Sequence, residues 1–145
     1  MQRRRKAREV ALQMLFQIDL NPDLPGKAIA TQIREQIDDH ELASLARSLF
    51  GGVMEHRAAL DETIEATAQN WTLKRMAVVD RNVLRLGLYE LQHRDTPHGV
   101  VIDECIELAK KFGDKGSSRF VNGMLDKLTP DERRTKRPQD VGPGA

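Results

Sequence analysis

Five cations crowd the start of the chain, namely Arg3, Arg4, Arg5, Lys6 and Arg8. Guanidinium and ammonium groups hold phosphates, so a local cluster of this kind can attract a polyanion such as RNA. A basic helix end that is only solvated has the same composition. The spacing of the charges does not decide between these two hypotheses.

Phe16 lies on the same predicted helix as the basic cluster. At about 100° per residue the apolar stripe of this helix is centred near Ala7 and Ile18, and Phe16 points away from it. An aromatic ring near a basic cluster suits single-stranded RNA, because bases stack on the ring while cations hold the phosphates. The alternative is that Phe16 packs beneath a neighbouring helix, as large apolar residues usually do.

No catalytic or metal-binding motif accompanies these residues. The histidines His40, His56, His93 and His98 lack the paired spacing of a metal site. The serines lack a nucleophile elbow, and the glycines form no phosphate-binding loop. We therefore expect that the protein is not an enzyme and needs no cofactor.

Composition favours one helical domain. The chain has 145 residues and a net charge of only +1, so any attraction for RNA must be local. Its single cysteine, Cys105, excludes an intramolecular disulfide and fits a reducing cytoplasm. Apolar runs are too short for a membrane span. We expect a soluble cytoplasmic protein.

Apolar residues recur at intervals of three and four, and no strand pattern occurs. The sequence therefore predicts an all-α fold of about seven helices. The most apolar stretch, 73–94, should be the central helix. From Thr129 onward large apolar side chains are almost missing, so we expect a domain over 1–129 and a disordered tail over 130–145. The other predicted helices are 4–20, one along Ile29, Ile33 and Ile37, one through Leu42–Val53, one near 57–69 that leads to an apolar contact at Trp71, one from Val101 to Phe112 capped by Gly113, and a last one capped by Ser117 or Ser118.

Four segments in this order resemble the NusB family of bacterial transcription antitermination factors. They are "RRRKAREVALQMLFQID" at the start, "VVDRNVLRLGLYEL" at 78–91, "VIDECIELAKKFG" at 101–113 and "SSRFVNGMLDKL" at 117–128. The resemblance implies two packed three-helix bundles with the basic end of the first helix exposed. It also implies that the protein pairs with a small-subunit ribosomal protein, NusE. Together they would bind the boxA element of nascent ribosomal RNA transcripts and help RNA polymerase resist termination.

The resemblance also implies site residues. Arg3, Arg4, Arg5, Lys6 and Arg8 match the family's arginine-rich RNA-binding motif. Arg119 and Phe120, in "SRFVNG", match an RNA contact near the other end, and Phe120 lies off the apolar stripe of its own helix. Asp80 and Phe16 match the surface used for the ribosomal partner and the RNA beside it.

Some positions depart from the family pattern. Asp103 and Cys105 replace more usual Asn and Ala, which indicates a variation in packing. Gly116 stands where many members have an acid, which predicts a loop that is either more mobile or less repulsive to phosphate. Two other functions stay open. One is the RNA-binding accessory domain of a ribosomal RNA methyltransferase, and the other is a helical adaptor or homodimer without RNA affinity.

Overall fold

The computed structural model describes residues 2–69 and 71–134, and within these ranges every long element is a helix, with no strand. The predicted all-α fold is confirmed. Helices α1 to α3 form one bundle and α4 to α6 form the second. No helix in the described part of the chain is both long and apolar enough to cross a membrane. The helices are α1 (Gln2–Leu20), α2 (Gly26–Gln36), α3 (His40–Ala68), α4 (Val78–His93), α5 (His98–Phe112) and α6 (Ser117–Leu128), and short 3₁₀ turns occupy Leu73–Arg75 and Asp131–Arg133.

The two helices expected over residues 42–69 are one continuous helix, α3, so six long helices replace the predicted seven or so. Buried positions continue at helical spacing from Leu49 to Ile64, so nothing in the apolar pattern interrupts the helix. Gly52, within this helix, is a packing position. A Cβ atom built there would lie 2.1 Å from Cζ of Tyr89, so only glycine lets α4 approach so closely.

Helix α1 belongs to two hydrophobic cores. One face of α1 carries Val10 and Met14 into a small core shared with α2 and the first turns of α3. Another face carries Leu12 and Leu15 into the main core, which lies among α3, α4, α5 and α6. The first helix therefore joins the two bundles, and its position is set by both.

Helix α4 is buried nearly all round, as its composition predicts. Leu84, Leu86 and Leu88 are fully buried although they point in different directions. Its polar residues are buried too, and they contact partners on other helices, as described below. The predicted element over 73–94 starts instead as a separate 3₁₀ turn, since Met76 and Ala77 are extended and α4 begins at Val78.

Three local predictions have mixed outcomes. Gly113 ends α5 as expected. The cap of α6 is Gly116 and not a serine, and its φ of 95° lies in the left-handed region that favours glycine. Ser117 is the first helical residue, and its Oγ accepts a hydrogen bond from Asp114 N at 2.9 Å. Trp71, expected to make an apolar contact, is 43% exposed.

The start of the predicted disordered tail is attached to the domain. Arg133 donates hydrogen bonds to the carbonyl oxygens of Leu91 at 2.9 Å and Thr96 at 2.7 Å, so the chain contacts the helical domain at this residue. The prediction of a disordered tail considered only apolar side chains, and it therefore did not consider the hydrogen bonds that a guanidinium group can donate. The rest of the predicted tail, 135–145, lies outside the described residues.

Replacing Arg133 with Ala is therefore expected to lower the free energy of unfolding by about 1 kcal/mol, as for a partly exposed pair of hydrogen bonds. Removing residues 135–145 while keeping Arg133 is the matched control, and it should leave stability unchanged. Urea unfolding of the two variants checks both expectations. Equal losses in both would contradict the anchoring role of Arg133.

Candidate nucleic-acid interface

The first turns of α1 present cations to solvent. Arg3, Arg4 and Lys6 are exposed, and Arg3 is paired with the carboxylate of Asp39. Asp39 is also the N-cap of α3, where it accepts a hydrogen bond from Leu42 N. That backbone contact, with the charge of Arg3, holds the pKa of Asp39 below its usual range although partial desolvation opposes the shift. The pair fixes the start of α1 against the start of α3.

Arg5 is half-exposed and lies against α5. Its Nε and Nη2 donate to the two oxygens of Glu104 at 2.9 and 3.0 Å, in the bidentate geometry that orients a guanidinium. The hydrogen bond from Arg5 lowers the pKa of Glu104, and it outweighs the effect of burial. Arg5 therefore keeps a fixed direction at the surface and has part of its charge compensated.

Arg8 departs from the expectation that all five cations lie on an RNA-binding surface. Its side chain is 3% exposed, and Nε and Nη2 donate to Glu90 on α4 at 2.8 and 2.9 Å. Burial alone would lower the pKa of Arg8, but the hydrogen bond and charge of Glu90 raise it, so the guanidinium stays charged. Arg8 lies on the inward face of α1, and Glu90 of α4 compensates its buried charge.

Phe16 lies half-buried in a groove between α1, α4 and α5. The groove has a volume of about 320 Å³ and is mostly apolar. Neither hypothesis about Phe16 is fully met: the ring is not covered by a helix, and it is not fully exposed. By the rise of 1.5 Å per residue, the groove lies about 18 Å along α1 from Arg4. Its lining residues are Leu12, Gln13, Phe16, Gln17, Val79 and Phe112.

The sequence analysis did not assign Lys111 and Phe112, near the end of α5, to the candidate interface. Lys111 is exposed, pairs with Glu9 at 2.9 Å and places its Nζ 5.4 Å from the centre of the Phe112 ring. The sequence feature that could have identified them is a lysine followed directly by an aromatic residue in "AKKFG". Lys111 and Phe112 extend the candidate interface from the end of α1 along α5 to the groove.

The remaining predicted site residues lie on α4 and α6. Arg119 is exposed, whereas Phe120 is half-buried and packs against the main core, so only part of its ring is available for stacking. The helical projection missed this contact because it considered α6 alone. Asp80 is half-buried in the first turn of α4, beside Val79 of the groove, and its Oδ1 has no hydrogen-bond partner among the described residues.

The far end of α1 is held by charges that the sequence analysis did not identify. Asp19 is almost buried, and both of its carboxylate oxygens accept hydrogen bonds from α3 and α4. Burial would raise the pKa of Asp19, but the hydrogen bonds from Arg81 and Asn82 and the charge of Arg85 lower it. The donors are Arg57 at 2.9 Å, Arg81 at 2.7 Å, Asn82 at 3.0 Å and Arg85 at 3.2 Å.

Cys105 is fully buried between α4 and α5, and burial raises the pKa of its thiol. The thiol therefore stays protonated and unreactive, and its role is packing. In the described residues no group of histidine, cysteine and acidic side chains has the arrangement of a metal site.

The fold and this surface together define an all-helical protein of two bundles with a cationic helix end beside an apolar groove. The family model of the NusB family matches residues 5–130, and the chain belongs to this family. It is 48% identical over 139 residues to the transcription antitermination protein NusB of Anaeromyxobacter dehalogenans strain 2CP-1, which covers 93% of this chain and 98% of the relative.

Solved structures agree with this assignment. T. maritima NusB superposes with a TM-score of 0.80 at 37% identity, covering 90% of this chain and 95% of that one. A chain of the crystal structure of antitermination factors NusB and NusE in complex with dsRNA matches with a TM-score of 0.80 at 30% identity, covering 89% and 97%. The resemblance inferred from the four segments is confirmed.

Proposed function

We propose that this protein is an RNA-binding transcription antitermination factor. With the small-subunit ribosomal protein NusE it binds boxA of nascent ribosomal RNA transcripts in the cytoplasm and helps RNA polymerase resist termination. It acts by binding and has no catalytic step. The observation that carries the proposal is the exposed cationic end of α1 in a chain of the NusB family.

The surface supports contact with a single strand. Arg4 and Lys6 offer charge for phosphates, and Lys111 continues this charge toward the groove. Phe16, at the groove, offers a partly exposed ring on which a base can stack. We assign phosphate contacts to Arg3, Arg4, Arg5 and Lys6, and further RNA contacts to Phe16, Arg119 and Phe120.

The apolar groove supports contact with a protein partner. Most of its lining is apolar, and Asp80 lies beside it with a carboxylate oxygen that has no hydrogen-bond partner in the described chain. We assign Phe16 and Asp80 to the NusE contact, because Asp80 is half-buried beside the groove and a carboxylate there can pair with a cation of a protein partner. A homodimer that covers the same groove is the competing occupant.

The coverage of relatives favours an antitermination factor over an accessory domain of a methyltransferase. The match covers 98% of the relative from Anaeromyxobacter dehalogenans, so that relative does not contain an additional methyltransferase domain. A helical adaptor without RNA affinity would not require the exposed cations of α1.

Replacing Arg4 and Lys6 together with Ala should weaken binding to a boxA RNA most strongly at low salt. Each lost phosphate contact should reduce the slope of log affinity against log salt by about 0.7, the value for single strands. Stability should not change, because both side chains are exposed. Fluorescence anisotropy over a salt series, with and without NusE, measures the effect.

Two further variants sharpen this test. Lys27→Ala removes an exposed cation from α2, away from the proposed surface, and should leave RNA affinity unchanged. Phe16→Ala should cost about 1–3 kcal/mol of RNA affinity through lost stacking, with little change in salt slope. The proposal is wrong if the Arg4 and Lys6 double variant binds boxA with NusE as tightly as the parent protein.

A further inference from the structure

An acid lies on the cationic face of the molecule. Glu104, in the middle of α5, has a side chain that is only 7% exposed, and it contacts Arg5, whose side chain is 37% exposed. Glu104 lowers the positive charge of a surface that we assign to RNA, so net charge alone predicts that it weakens RNA binding. The geometry of its contact with Arg5 gives the opposite expectation.

The contact with Glu104 uses only part of the Arg5 guanidinium. Of its five N–H donors, one on Nε and one on Nη2 bind the two carboxylate oxygens, which leaves two donors on Nη1 and one on Nη2. In the described part of the chain, Nη1 of Arg5 has no hydrogen-bond partner, and unlike Nη1 of Arg8 it is not a buried atom. The remaining donors of Arg5 therefore reach solvent.

The orientation of these remaining donors follows from the planar shape of the group. Because the edge formed by Nε and Nη2 lies against Glu104, the edge formed by Nη1 and Nη2 must point away from the carboxylate. This second edge has two parallel N–H bonds, one from each nitrogen, and such a pair matches two oxygens of a phosphate. Glu104 therefore determines the direction in which Arg5 can bind a phosphate.

A fixed orientation in the free protein reduces the cost of binding. A long exposed side chain such as Arg4 has many rotamers, and ordering it when RNA binds lowers the affinity. The bidentate contact with the nearly buried Glu104 holds Arg5 in one orientation before RNA arrives. Arg5 is thus preorganised, whereas Arg4 is not held by such a contact.

Repulsion between Glu104 and a phosphate is weakened by the neighbouring cations. The hydrogen bond from Arg5 and the charges of Arg5 and Arg8 hold the pKa of Glu104 below its usual range, although burial opposes the shift. Two guanidinium groups therefore compensate this one carboxylate. A phosphate on the far side of Arg5 meets the cation first, and the carboxylate lies behind it.

We propose that Glu104 is a positioning residue for RNA, which holds the guanidinium of Arg5 so that its Nη1 and Nη2 edge meets a phosphate of the bound strand. This inference rests on the proposed function and assigns a role to an acid that does not itself touch RNA. It implies that removing a negative charge from this surface weakens the binding of a polyanion.

Glu104→Gln tests the proposal. Gln has a similar shape, but its amide cannot accept from both nitrogens of Arg5, so binding of boxA RNA with NusE should weaken about fivefold, as for the ordering of one long side chain. The slope of log affinity against log salt should fall by up to about 0.7. Fluorescence anisotropy over a salt series, at a temperature where every variant is folded, measures both effects.

Glu107→Gln is the matched control. Glu107 lies one turn further along α5 and lines the same surface depression as Arg5, but its side chain is 48% exposed and pairs only with Lys110. Its removal changes the net charge by the same amount without releasing Arg5. RNA affinity should therefore stay the same or increase slightly for this variant.

A double-mutant cycle separates positioning from a structural role of Glu104. Arg5→Lys keeps the charge but has no planar edge, so it should weaken RNA binding, and adding Glu104→Gln to it should cause no further loss. NusE affinity should be unchanged in all of these variants. The proposal is overturned if Glu104→Gln binds RNA as tightly as the parent protein or more tightly, or if the two losses add. The Arg4 and Lys6 double variant involves neither residue, so its loss of RNA affinity would show that the proposed function stands even where the positioning role fails.

Discussion

Replacing Glu90 with Gln is expected to lower the free energy of unfolding by about 3–5 kcal/mol. The carboxylate is the bidentate partner of Arg8, and both side chains are almost fully buried. Gln keeps the shape but removes the charge, so the guanidinium of Arg8 remains in the interior without a counterion. Loss of one partner of a buried pair is costly for this reason. Urea unfolding at neutral pH measures the loss.

Two companion variants separate the effect of the charge from that of the side chain. Glu104→Gln removes the acid that pairs with the half-exposed Arg5, and it should cost clearly less because solvent compensates Arg5. Arg8→Met combined with Glu90→Leu should recover most of the stability, since an apolar pair of similar volume can replace a buried ion pair. A loss below about 1 kcal/mol for Glu90→Gln would contradict the role of this pair.

Asp19→Asn should lower the free energy of unfolding by about 3 kcal/mol. The carboxylate joins the end of α1 to α3 and α4, and its loss leaves Arg81 and Arg57 without their acid partner. This loss of stability lies at the lower end of the range for breaking a buried ion pair, because the Arg57 side chain is about one-third exposed. Asp61→Asn is the matched control. Asp61 contacts Arg85, one of the arginines that also bind Asp19, and the side chain of Asp61 is the more exposed of the two acids. The loss of stability for Asp61→Asn should therefore be smaller.

The pKa of Asp19 gives this prediction a pH dependence. Because the folded protein lowers this pKa, the stabilising effect is complete above the ordinary aspartate value of about 3.9. It disappears as the pH falls through the lower pKa of the folded state. The difference in stability between the parent protein and Asp19→Asn should therefore be constant from pH 7 to pH 5 and shrink below pH 4. A difference that grows in acid would refute the assignment.

The sequence predicted the helical class and most helix positions because apolar spacing is a local property. Ile29 and Ile33, four residues apart, place α2 correctly. The division of residues 42–69 into two helices was wrong, because the apolar spacing continues through α3, and Gly52 within it is required by the close approach of Tyr89 from another helix. Contacts between distant segments are not visible in a local pattern.

The candidate site was predictable to the same extent. Arg4 and Lys6 are exposed as a basic helix end should be, while Arg8 in the same run is buried. Its partner, Glu90, lies 82 residues away in an apolar helix and has no local feature that marks it as a counterion.

The contacts of α1 also bear on how the chain behaves while it is being synthesised. Arg8 and Arg5 emerge early, but their partners follow 82 and 99 residues later. At about 5–20 residues per second, that interval lasts several seconds or more. During this time Arg5 and Arg8 have no acid partner, and α1 lacks the main core that α4, α5 and α6 complete. The N-terminal bundle can therefore form its small core before α4 and α5 emerge, but until then the nascent chain carries Arg5 and Arg8 without their counterions beside ribosomal RNA.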